Sequence, residues 1–141
     1  MGNLTLNFLK QEKVPFQSYD KEVMTKVINE RMNLLKSFTK ADEGLFIIQN
    51  RPGSGTLHQL KEIYKSQESA FIDTAFDDFF IKLVDLPKKF VLVDAASSMS
   101  KIILPQVLEA ITKCAFQKAV VVTYEDELTV KDIMDTFERK E

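Results

Sequence analysis

Gly44-Leu45-Phe46-Ile47-Ile48-Gln49-Asn50-Arg51-Pro52-Gly53-Ser54-Gly55-Thr56-Leu57-His58-Gln59-Leu60 carries three local signals in one run. Leu45 to Ile48 is continuously apolar, the pattern of a strand buried on both faces of a parallel sheet. Asn50 to Gly55 is a loop with one proline and two glycines. A helix follows, expected through about Lys65. Strand, glycine-rich loop and helix start form the scaffold that cradles phosphate: inward backbone N–H groups and the positive end of a helix attract the anion. A working loop has the pattern G-x-x-x-x-G-K-[ST]. Its eight positions here are Asn50-Arg51-Pro52-Gly53-Ser54-Gly55-Thr56-Leu57. Gly53 and Gly55 are kept. Asn50 replaces the first glycine, Thr56 the lysine, and Leu57 the hydroxyl that would hold magnesium.

Working outward, other segments share the buried-strand pattern. Phe90-Val91-Leu92-Val93-Asp94 is apolar and ends in an acid; Ala119 to Thr123 ends in a hydroxyl. Ala70 to Ile72 is a weaker strand candidate. Residues 21–38 read as a helix capped by Asp20, with Met24, Val27, Ile28, Arg31, Leu35 and Phe38 forming a core-facing stripe. Further helices are expected over Phe76–Leu83, Ile102–Ala115 and Asp132–Glu138, with Glu125-Asp126-Glu127 as a solvated turn and Ser97, Ser98 and Ser100 as a loop and cap. Strands alternating with helices imply a three-layer α/β fold around a parallel sheet. Ligands of such folds sit outside the carboxyl ends of the strands, here at Asn50, Asp94 and Thr123. Residues 3–8, NLTLNF, alternate polar and apolar, as an edge strand or an extended peptide docked on a partner would.

The bulk numbers bound the function. At 141 residues, 45% hydrophobic and 28% charged, the chain suits one globular domain with its own core. A net charge of −2 gives no sign of a nucleic-acid surface. A single cysteine, Cys114, excludes an intrachain disulfide and suits a cytoplasmic location. Neither a membrane span nor a signal peptide is visible. Single His58 cannot make a metal site, and no nucleophile–base pair stands out. Ala95 and Ala96 follow Asp94, so the second acid that would activate water is missing. With the lysine and the metal hydroxyl also absent, ATP hydrolysis is not expected. A phosphoacceptor receiver fails as well: no acid pair follows a first strand, and no later strand ends in lysine.

The order of these motifs resembles the DnaA/Hda family of P-loop AAA+ replication-initiation proteins. The resemblance spans residues 3–126 and rests on four matches: the entry segment Phe16-Gln17-Ser18-Tyr19, the stretch Gly55-Thr56-Leu57-His58-Gln59-Leu60 against the family's G-K-[ST]-H-L, FVLVD ending at Asp94, and VVVT ending at Thr123. It implies a P-loop NTPase-like fold, a truncated AAA+ nucleotide-binding domain without the helical lid. Residues 1–13 would be an N-terminal peptide and linker and residues 14–141 a single degenerate domain. The degenerate nucleotide site would comprise Pro52, Gly53, Ser54, Gly55, Thr56, Leu57, His58, Asp94 and Thr123. Hda-like proteins also begin with a peptide Q-L-x-L-x-[LF] that enters a pocket of the DNA polymerase sliding clamp; Asn3, Leu4, Leu6 and Phe8 match it, with asparagine for the glutamine. The implied function is a non-catalytic adaptor in replication-initiation control, partnered by the sliding clamp and a DnaA-like initiator, with no direct nucleic-acid or membrane contact and no required cofactor. The alternatives are a helicase-loader-like protein retaining ADP or ATP, and a plain α/β interaction module.

Overall fold

The computed structural model describes residues 6–10, 20–49, 55–64, 70–73, 90–95, 100–113 and 116–139. Five strands, β1 (Leu6–Leu9), β2 (Gly44–Gln49), β3 (Ala70–Asp73), β4 (Phe90–Asp94) and β5 (Lys118–Thr123), form one sheet in the order β1-β2-β5-β4-β3. Every pairing is parallel. Among the described residues four helices accompany it: α1 (Lys21–Phe38), α2 (Thr56–Ile63), α3 (Ser100–Lys113) and α4 (Glu127–Arg139). The expected helix over Phe76–Leu83 lies outside the described residues.

Alternation along the strands divides the core in two. Leu45 and Ile47 of β2 and Ala119 and Val121 of β5 pack with Leu104, Val107, Leu108 and Ile111 of α3 and Val130 of α4. Phe46, Ile48, Val120 and Val122 point the other way, against Leu35 of α1 and Leu60 of α2. Both faces of β2 and β5 are therefore covered, which is why their sequences read as unbroken apolar runs. The layering follows from handedness. The chain steps one way across the sheet from β1 to β2 to β3 and back the other way from β4 to β5. Right-handed crossovers then put α1 and α2 on one face and α3 on the opposite face, as observed.

Two helix starts have local causes. Asp20 accepts a hydrogen bond from the Glu22 backbone at 2.9 Å, capping α1. Asp126 does the same for α4, accepting from the Thr129 backbone at 2.8 Å. This corrects the reading of Glu125–Glu127 as a turn and of a last helix starting at Asp132. Asp126 is the cap of α4 and Glu127 lies in its first turn, where carboxylates oppose the positive helix end, while Glu125 precedes the helix. The α1 stripe is buried at Leu35 and half-buried at Met24, Val27, Arg31 and Phe38, but Ile28 is exposed. α3 continues through Pro105, which cannot donate the bond its position would make.

At the amino-terminal end of the sheet, Lys118 ties β5 to α1. It is only 8% exposed. Its Nζ donates to the Thr39 carbonyl at 2.6 Å, where α1 ends, and stands 5.5 Å from the Phe46 ring centre and 5.1 Å from that of Tyr64. Burial pushes its pKa down, against the attraction of Asp42.

Candidate functional site

Among the described residues, the carboxyl edge of the sheet has one position where neighbouring strands send the chain to opposite faces. β2 leads into α2 on one side; β5, its neighbour, leads into α4 on the other. Such a reversal opens a crevice between two strand ends, and it is where open α/β sheets bind ligands. Here it falls between Gln49 and Thr123, which are register partners. The loop that follows β2 therefore starts at the topologically favoured position.

The sequence-predicted residues divide at this edge. Pro52, Gly53 and Ser54 lie outside the described residues. Gly55 immediately precedes α2 with φ +77°, a left-handed conformation that glycine adopts without steric cost. A Cβ built there would meet nothing within 4 Å, so the glycine is required by the backbone and not by crowding. Thr56, at the position of the missing lysine, is 2% exposed. Leu57, at the position of the metal-binding hydroxyl, packs half-buried against the core on the α1–α2 side. His58 is exposed on α2. Thr123 is fully buried, and its Oγ1 accepts from the Glu125 backbone at 3.2 Å. Asp94 is half-buried at the end of β4, one strand beyond β5, and stands level with Val122. The next residue, Ala95, donates its backbone N–H to the Val122 carbonyl at 2.8 Å, so the end of β4 is fixed to β5.

Two features went unread in the sequence. Arg31, assigned to the core-facing stripe of α1, donates from Nη2 to the Thr56 hydroxyl. Among the described residues no carboxylate pairs with it. Burial pushes its pKa down. One turn further along α2, Gln59 is 8% exposed and donates from Nε2 to the Ile28 carbonyl at 3.2 Å; its Oε1 has no partner among the described residues. The second feature is Asp73, which ends β3 in register with Asp94. The strand was expected to stop at Ile72. Two aspartates therefore end adjacent strands, and no group of three metal-ligating side chains forms among the described residues.

On the other edge-facing strand, Leu6 to Leu9 pair in parallel with Leu45 to Ile48. Leu6 and Phe8 pack against the core on the α3–α4 face, and Leu9 packs on the α1–α2 face. Asn3 and Leu4 lie outside the described residues. No helix among the described residues is long and apolar enough to cross a membrane. No family, curated protein or solved structure matches the chain.

Proposed function

We propose that this chain is a non-catalytic α/β adaptor on a P-loop-like scaffold, acting in replication-initiation control through protein partners. The observation that carries the non-catalytic half is the fate of Thr56 and Leu57. At the two positions where a working loop meets phosphate and metal, one side chain is buried and accepts a hydrogen bond from Arg31, and the other packs half-buried against the core. Neither offers a phosphate a cation or magnesium a ligand. The reading is further supported by a corner that keeps its shape: Gly55 holds a left-handed turn before α2 at the sheet's switch point. The adaptor half rests on the resemblance to the DnaA/Hda family and on the pattern at residues 3–8. A pull-down with the bacterial DNA polymerase sliding clamp tests it. Binding by the intact chain, lost in the Leu6→Ala plus Phe8→Ala variant, is expected. An intact chain that fails to bind removes the clamp from the proposal.

One observation favours a second reading, retention of ADP or ATP without hydrolysis. Arg31 brings a guanidinium to the hydroxyl of Thr56, the first residue of α2, and among the described residues no carboxylate neutralises it. On that reading Arg31 supplies from α1 the charge that the loop lysine would supply from α2. Millimolar ADP or ATP should raise the melting temperature, and Arg31→Met should abolish the shift while leaving the unliganded melting temperature at least as high. A wild-type chain whose melting temperature ignores nucleotide removes this reading.

A further inference from the structure

The same side chains are committed twice. Leu6 and Phe8 are anchors of the partner-binding pattern proposed above, and they are also core contacts of β1. Residues two apart in a strand share a face, so both lie on the α3–α4 side of the sheet, level with Leu45 and Ile47 of β2. An apolar side chain cannot fill a partner's pocket while it is packed in its own core. We propose, on the basis of the adaptor reading, that β1 is a releasable strand: the chain either closes its sheet with residues 6–9 or presents them to the partner, never both. Three features fit a strand that exchanges. It has four residues, the shortest length in this sheet along with β3; it sits at the sheet edge; and all four of its residues stay half-exposed while those of β2 opposite are buried. Its release uncovers the β2 edge, Leu45 to Ile48.

The consequence is measurable because docking in cis taxes binding in trans. The apparent affinity for a partner is the intrinsic affinity multiplied by the fraction of chains with β1 released. Leu9 separates the two uses. It lies outside the pattern at residues 3–8, and it packs on the α1–α2 face. Leu9→Ala therefore loosens β1 without removing an anchor. The experiment measures sliding-clamp affinity for the full-length wild type and Leu9→Ala, together with hydrogen exchange of the wild type with and without saturating clamp. The expected result is binding about fivefold tighter for Leu9→Ala, with those amides of residues 45–48 that point toward β1 losing protection when the clamp is bound. Clamp binding that leaves the protection of residues 6–9 and 45–48 unchanged, with equal affinity for both chains, overturns the inference and leaves the adaptor reading standing. Absence of binding by both chains overturns the adaptor reading and the inference with it.

Discussion

Thr56 stands where the pattern G-x-x-x-x-G-K-[ST] has its lysine, and its side chain is buried instead. A lysine there would extend toward solvent and phosphate; a threonine is short enough to be buried, and Arg31 reaches it from a helix 25 residues earlier. Sequence reading could place Arg31 on the inner face of α1 but could not name its partner, because the bond depends on how α1 packs against α2. Titration offers sharper tests at this scale. The Thr129 hydrogen bonds hold the Asp126 carboxyl below its ordinary value of 3.8. The group therefore adds stability above its unfolded pKa that disappears as pH falls through the folded one. Asp126→Ala should show a smaller loss of urea-midpoint stability on acidification than the wild type, in parallel denaturation series. At the alkaline end, burial raises the Tyr64 pKa above 10.0, so stability falls as pH climbs from that value. Lys118 tilts the other way: its lowered pKa makes stability rise with pH until 10.5. Tyr64→Phe should remove the late component of tyrosinate absorbance and steepen the gain in stability on the approach to pH 10.5.

Elements were legible where burial was two-sided. β2, β4 and β5 announce themselves because a strand covered on both faces has no polar side to break its run. β1 was ambiguous for the opposite reason: a half-exposed edge strand and an extended ligand peptide have the same alternation. The start of α4 was misplaced because an acidic turn and an acidic helix cap are alike in composition, and only the Asp126–Thr129 bond tells them apart. Asp73 was missed because its strand is set by pairing with β4 and not by its own short pattern. α3 carries a testable cost of its own. Pro105 interrupts its ladder, with Leu104 and Val107 buried on either side. Pro105→Ala should stabilise the protein by about 1–3 kcal/mol, read as a higher urea midpoint with an unchanged slope.

For the molecule as a whole, the order of the strands matters more than their number. With β5 between β2 and β4, the acid that ends β4 is held one strand away from the loop after β2, and Thr123 stands between them. The sequence supplied the three strand ends, while their spatial order depended on pairing across more than 70 residues of chain. Because one sheet carries both layers, the two core clusters should unfold together. Leu60→Ala on the α2 side and Leu108→Ala on the α3 side, both fully buried, should each cost about 3 kcal/mol. Their effects should add in the double variant, with a single transition by calorimetry and by circular dichroism. Two separate transitions would show that the layers are independent.

The central place of β5 also sets a schedule for the newborn chain. It is the last strand to leave the ribosome among those described, yet it joins the two halves of the sheet. Until it emerges, β2 can lie beside β1 and β4 beside β3, but each pair keeps one bare apolar edge where β5 will go. Unpaired edges of this kind invite pairing between chains. The interval between synthesis of Asp94 and of Thr123 is therefore the period in which this protein most depends on dilution or a chaperone, and a nascent chain stalled within it will be the form that aggregates.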